Sequence, residues 1–570
     1  MPRLAGWLLL ALVACTPNSP AAQAPASAPR ISPAPAATPP PRYAAEPARH
    51  QGGVVTVGDW QFPPALPPLY GPAPAGAAAI QQALFSGLVG IDPQLGAYGD
   101  LARAVPTLAN GGVKIAGAGM DVTYELRPGL NWSDGRPITP DDVIFTWQAT
   151  GRTEGYDRIS GIDRTGELGL TVHFASLYPA YLLLFAAIAP KHRLDAISPG
   201  RLADDPFWSK PDVVSGPFAV LEAVPADHFT LQRNPHYADG RAGMPLLNHA
   251  AYLEKIVFKA FASKSSTLAA LKAGDIQVAL ELNERDLEVA SGIRDARLQA
   301  VPWLAYEQVT LNQQAALWAT DPPLREAVAR AVDVAAVAAL LGGRAPAARG
   351  PISPQVAWAY SADTAAPRYD LEAARAALDA DGWAPGGDGI RAKAGRRLQF
   401  ILSTVADAPL RASEEEALVA GWRRAGMDVR LQNYGSGQLF GAYADGGVLS
   451  RGTFDAALFA WITPPDPDAN FATLHSSRIP GSQNPGGQNF SRCADPAIDG
   501  ALAAGRVTLD QPQRALAYRQ FQAAYAKAGC EVPLYQRLDV GLSSQRLHNF
   551  APNPAGPGNT WNVADWWIEG

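Results

Sequence analysis

Residues 460–477 read AWITPPDPDANFATLHSS, and Asp466 and Asp468 are the pair within them whose type and spacing could do chemistry. Two carboxylates can divide acid and base work across a glycosidic bond. They can also meet a ligand at the edge of a cleft, or close a turn, since Asp and Pro both favour turns. The spacing alone leaves these readings open. The rest of the chain adds no catalytic pattern: it has no G-x-S-x-G elbow, no H-E-x-x-H, no G-x-x-x-x-G-K-[ST] and no S-x-x-K. The eight histidines are scattered and Cys493 and Cys530 lack a C-x-x-C partner, so no metal site or cofactor is expected. Nothing in the residues supports a secreted hydrolase beyond that one acidic pair.

The ends say where such a site would work. Arg3 precedes an apolar run, Leu4 to Val13, and the small Ala14 stands before Cys15. The run is shorter than the roughly 20 residues a membrane-spanning helix needs, so 1–14 reads as a signal peptide. Leu12-Val13-Ala14-Cys15 resembles the bacterial lipoprotein box, in which the cysteine is lipidated and anchors the mature chain. Residues 15–51 are rich in Ala and Pro, with no hydrophobic period, and read as a tether. Fully extended, it would reach on the order of 100 Å. A lipid-anchored place in the cell envelope follows, on the outer side of the cytoplasmic membrane or in the periplasm. The 570 residues carry a formal net charge of -6 without a basic stripe, which argues against nucleic acid as a partner. In an oxidising compartment Cys493 and Cys530 are open to two readings, a disulfide or two separate buried thiols.

The elements that would position a site alternate between strand and helix. Val54 to Gly58 reads as a buried strand, and Val122-Thr123-Tyr124-Glu125-Leu126 as a half-buried one. Thr139-Pro140-Asp141-Asp142 starts a helix with an N-cap, a first-turn proline and acids at the positive end of the dipole. Val143 and Trp147 share its core face. Ser265 to Leu271 closes at Gly274 and leads to the strand Asp275 to Leu280. Such alternation indicates an α/β protein, and the body is long enough for more than one core.

Five stretches in order then carry a resemblance. They are Val122 to Val143, with the turn Ser133-Asp134-Gly135; Ser215-Gly216-Pro217-Phe218 with Leu231 to Tyr237; Ala269 to Ile276; Leu311-Asn312 with Leu324 to Asp333; and Val532 to Tyr535. Together they resemble family 5 of the bacterial solute-binding proteins, the extracytoplasmic receptors of peptide- and nickel-type ABC transporters. The resemblance implies a two-lobed, Venus-flytrap fold of the periplasmic-binding-protein type with an extra N-terminal subdomain at about 85–211. It places lobe one at 52–310, lobe two at 311–530 and a return to lobe one at 531–570. The hinge would be crossed near Tyr306 to Gln313 and again near Glu531 to Arg537.

The implied function is capture of a peptide or peptide-like ligand by a monomer that hands it, unaltered, to a permease. A lipoprotein sensor or chaperone-like binder on the same scaffold is the alternative. Nickel chelates are also within the family's range. Peptide-binding members usually place an aspartate three residues after the tryptophan that matches Trp461, and here that position is Pro464. Either Asp466 or Asp468 takes over its role, or the ligand lacks a free N-terminus. Trp60, Trp461, Asp466, Asp468, Asn470, Tyr434 and Trp358 are the expected ligand-binding residues.

Overall fold

Apolar strands in this chain converge on one sheet. The computed structural model describes residues 43–570 apart from 64, 70–74, 152, 154, 245, 365–367, 407 and 556–557. The signal peptide, Cys15 and most of the expected tether lie outside the described residues. Among the described residues ten strands form the sheet: β1 (Val54–Asp59), β2 (Phe218–Val224), β3 (His228–Arg233), β4 (Lys255–Ala260), β5 (Val278–Leu282), β6 (Ala296–Leu311), β7 (Gln399–Ser403), β8 (Asp428–Leu431), β9 (Ala456–Ile462) and β10 (Glu531–Ser544). Their spatial order is β8-β7-β9-β6-β10-β5-β1-β4-β3-β2.

The long antiparallel pair β6 and β10 belongs to both halves of the sheet. One end of β10 pairs with β5 at Val540 and Ser543, while the opposite end of β6 pairs with β9 from Ala305 to Leu311. Between the halves the β6–β10 register shifts, from Pro302 opposite Leu538 to Tyr306 opposite Gln536. Proline has no N–H to give the ladder, so Pro302 is a natural point for the break. A second shift follows, between Glu307 opposite Tyr535 and Gln308 opposite Pro533.

Each half has its own core. Val55, Val57, Phe218, Leu231, Ile256 and Val278 are buried in lobe one, in one cluster with Val122, Tyr124, Leu170 and Val172 of the extra subdomain. Trp318, Leu324, Val328, Phe400, Trp422 and Leu458 form a second cluster in lobe two. The subdomain has a sheet of its own, built from Val113–Ala116, Gly119–Glu125, Ile159–Arg164 and Gly169–Phe174. Its helix Pro140–Thr150 starts as expected, with the Thr139 backbone N–H donating to Asp142 Oδ2 at 2.8 Å. Gly274 takes a left-handed φ of 85° to close the helix Lys264–Ala273.

The last residues of the segment read as a tether pack on lobe one. Tyr43 packs edge-on against Trp561 at 4.9 Å, and the Glu46 N–H donates to Asn549 Oδ1 at 2.8 Å. Arg49 lies 5.8 Å from the Trp567 ring. Residues 43–50 thus join lobe one through aromatic and polar partners more than 500 positions away, which no local pattern announces. Among the described residues no helix is long and apolar enough to cross a membrane.

Cys493 and Cys530 form a disulfide, with Cα atoms 5.8 Å apart. It lies in a third core with Ile498, Leu502, Tyr518 and Phe521, from the helices Pro496–Arg506 and Gln511–Ala528. The bond closes a loop of 37 residues. Loss of the cross-link in a Cys493→Ser/Cys530→Ser variant should lower stability by about 3–4 kcal/mol. Urea unfolding with and without reductant checks this; the variant should also become insensitive to the reductant.

Candidate functional site

The site begins where β9 runs out of the lobe-two core. Successive side chains of a strand point to opposite faces. Ala460 and Ile462 therefore share one face and line a cavity, while Trp461 points to the other. The cavity holds about 360 Å³. Trp60, Lys264, Glu281 and Asn283 wall it from lobe one, Arg411 from lobe two, and Trp303, Arg537 and Asp539 from the crossing strands. A larger cavity of about 520 Å³ adjoins it, bounded by lobe one and by Ile462-Thr463-Pro464-Pro465. Ile462 lines both. The two cavities make one crevice between the lobes with the crossing strands at its base.

Charge at this base is paired across the hinge. Arg537 Nε lies 3.6 Å from Glu284 of lobe one, and its Nη1 lies 3.6 Å from Glu307 of β6. Glu307 in turn accepts from Arg411 of lobe two at 2.9 Å. The chain Glu284–Arg537–Glu307–Arg411 runs from one lobe to the other. Glu284 and Glu307 are almost fully buried, so their cations offset the cost of keeping them charged.

Beside this chain the wall is rich in carboxyl groups. Glu281 has a left-handed φ of 58°, which is uncommon for a non-glycine residue, and its carbonyl accepts from Trp60 Nε1 at 3.0 Å. Lys264 lies 5.3 Å from the Trp60 ring and pairs with Asp286 at 2.8 Å. Burial, then the nearby Asp59 and Asp539, push the Glu281 carboxyl up to about 8. Burial also raises Asp539 to about 7, opposed by the hydrogen bond from Asn559, and Asp59 to about 6. Burial thus favours the protonated form of all three carboxyls.

Most of the expected ligand residues face elsewhere. Arg514 grips Asp466 with two hydrogen bonds of 3.0 and 2.6 Å, and Arg506 grips Asp468 at 2.9 Å. Asp466 also caps the turn Pro467–Ala469, accepting from the Asp468 N–H at 2.9 Å. The turn reading of the pair holds, but both acids are held by arginines rather than by water. Trp358 lies against the far side of this cluster, 5.0 Å from the Arg514 guanidinium. Asn470 is buried, donating to the Pro467 carbonyl at 2.9 Å. Trp461 stacks on Phe490 at 5.5 Å, and Tyr434 packs with them on the lobe-two cluster of Leu439, Leu449 and Phe459. Of the seven, Trp60 alone lines either cavity.

Glu281, Asp539, Trp303, Arg411 and Arg537 were not singled out from the sequence. One signal was there for Glu281, an acid between Leu280 and Leu282 in an otherwise apolar strand. Among the described residues no group of three or more His, Cys, Asp or Glu side chains is arranged to hold a metal ion.

The model of the bacterial extracellular solute-binding proteins, family 5, matches residues 103–481. The chain belongs to this family. Protein XP55 of Streptomyces lividans is 30% identical over 529 residues, 89% of each chain. Among solved structures, the oligopeptide-binding protein AppA of Bacillus subtilis, in complex with a nonapeptide, superposes with a TM-score of 0.73 at 23% identity. The likeness covers 91% of this chain and all of that one. NikZ of Campylobacter jejuni, in complex with Ni(L-His), gives 0.73 at 23% identity, over 90% of this chain and 99% of its own.

Two outcomes follow from the site's electrostatics. Asp466→Ala should destabilise the protein by about 3–5 kcal/mol, because Arg514 would be left buried and unpaired, and should leave ligand affinity unchanged; denaturation and calorimetry read the two effects separately. Glu281 and Asp539 bind protons more tightly folded than unfolded, so stability should fall as pH rises from about 4.5 to 8. Thermal melts across that range check the sign, and Glu281→Gln should flatten part of the slope.

Proposed function

We propose that the protein captures a peptide or peptide-like solute in the interlobe crevice and passes it unaltered to an ABC permease. In this reading it acts as a monomer moored through Cys15. The observation that carries the proposal is the crevice itself, whose walls come from both lobes and whose base is the hinge. Closure by hinge motion gains contacts with a bound solute on both walls at once, and ligand drives closure only through such gains. Peptide as the cargo is supported by relatives such as AppA, whose name and solved complex refer to peptide.

The loop after Trp461 refines the cargo. With Asp466 and Asp468 each held by an arginine, no carboxylate there replaces the one absent at Pro464. We infer that the ligand presents no free amine to this loop; the carboxyl-bearing residues that line the crevice are Glu281 of lobe one and Asp539 of the crossing strand.

Mass spectrometry of solute co-purified with the protein is the direct test. It should return a peptide-like compound, chemically unchanged after prolonged incubation; a covalently altered product would overturn the reading. Trp60→Ala should weaken binding of that compound about 3–10-fold by removing an aromatic face from the crevice, with little effect on stability.

A further inference from the structure

Two leucines that stand outside the crossing strands reach from lobe to lobe. The first, Leu95, is at the tip of a hairpin whose arms, Val89–Ile91 and Ala97–Gly99, wall the larger cavity from lobe one. It packs against the third core, that of Ile498, Leu502, Tyr518 and Phe521 in lobe two. The second, Leu509, lies in the short link between the helices Pro496–Arg506 and Gln511–Ala528. It packs in the opposite sense, against the core of lobe one. Each is half-buried.

The tip is built to present its leucine. A φ of 63° holds Leu95 in the left-handed region, a conformation that costs a leucine and suits a glycine. Asp92, almost fully buried, fixes the turn. Its Oδ1 accepts from the backbone N–H of Gln94 at 2.9 Å and of Gly96 at 2.7 Å, and its carbonyl accepts from that of Leu95 at 2.9 Å. Asn553 ties the hairpin to lobe one, its Nδ2 donating to the Ile91 carbonyl at 2.8 Å, and the Tyr43 N–H donates to Gln94 Oε1 at 3.3 Å. Strain kept at one position by a fixed surround points to a role for that side chain. The receiving surface is held as firmly. Phe471 and Trp358 pack on the same third core, with the Arg506 guanidinium 3.9 Å from one ring and that of Arg514 5.0 Å from the other. These are the arginines that grip Asp468 and Asp466, and the Cys493–Cys530 bond belongs to the same core.

We propose that Leu95 and Leu509 form an apolar latch that holds the two lobes together and sets how readily the crevice opens. The inference rests on the crossing strands acting as a hinge, and not on which solute the crevice takes. Turning lobe two about those strands moves its third core relative to the hairpin, so each leucine has to leave the opposite lobe or slide across it. The apolar area returned to water opposes that movement. A latch of this kind raises the closed population before any solute arrives, and the apparent affinity for solute rises with it.

Small-angle X-ray scattering of the full chain, freed of solute by exhaustive dialysis, tests this. The wild type should scatter as this structure does. Leu95→Gly suits the backbone while removing the side chain, so its melting midpoint should fall by no more than about 2 °C. Its closed-to-open ratio should nevertheless drop about tenfold, read as a larger radius of gyration. Leu509→Ser should expand the protein in the same way, and the double variant should expand it further, by about a hundredfold in the ratio. One radius shared by the wild type and all three variants overturns the inference, whether compact or expanded. A lowered melting midpoint with no change in radius also overturns it, since the two leucines would then be ordinary packing. Unchanged scattering with a solute still co-purifying would spare the capture reading. Variants that expand, with no solute co-purifying with the wild type, would sink that reading and spare the latch.

Discussion

Arg537 is the residue on which the working parts converge. It stands on the returning strand between Glu284 of lobe one and Glu307 of the outgoing strand, and Glu307 is shared with Arg411 of lobe two. Charges this buried persist only where each has its counterpart, so the lobes cannot separate freely at this point without exposing or orphaning one of them. The hinge is therefore held by electrostatics as well as by backbone pairing. The ladder around it is the weakest in backbone terms, since the register breaks between Pro302 and Tyr306 and again between Glu307 and Gln308. A strand pair that is locally broken yet bridged by ions suits a joint that must bend at a fixed place.

The local features were legible because their causes are local. A capping acid three residues after Thr139, a proline in the first turn and a glycine at the end of a helix act over one turn of chain, and each appears where it was read. The family resemblance carried the larger frame, and the two-lobed α/β architecture follows it. The site was less legible because its causes are not local. Asp466 and Asp468 look available in the sequence, and only the fold brings Arg514 and Arg506 to them from 48 and 38 positions downstream. Trp461 missed the crevice by one residue: in a strand that is the difference between its two faces. Residues 43–50, read as part of a tether, pack on lobe one for the same reason, since their partners are at the other end of the chain.

AppA with a nonapeptide and NikZ with a nickel–histidine complex superpose on this chain with equal scores. One frame thus hosts both a peptide and a metal chelate, so the fold alone does not fix what the crevice walls accept. Here those walls are unlike each other. One bears Glu281 and Asp539, whose carboxyls burial raises to about 8 and about 7; the adjoining space is apolar and closes on two prolines. An extended ligand lying along the crevice would meet a polar end and a greasy end in fixed order, which confers direction as well as selectivity.

The clasp of Tyr43, Glu46 and Arg49 on Trp561, Asn549 and Trp567 has a mechanical consequence. A force applied to the chain ahead of Tyr43 would enter the body through lobe one, on the flank that also carries the last residues of the chain. Along the backbone, such a load would reach lobe two only through the crossing strands.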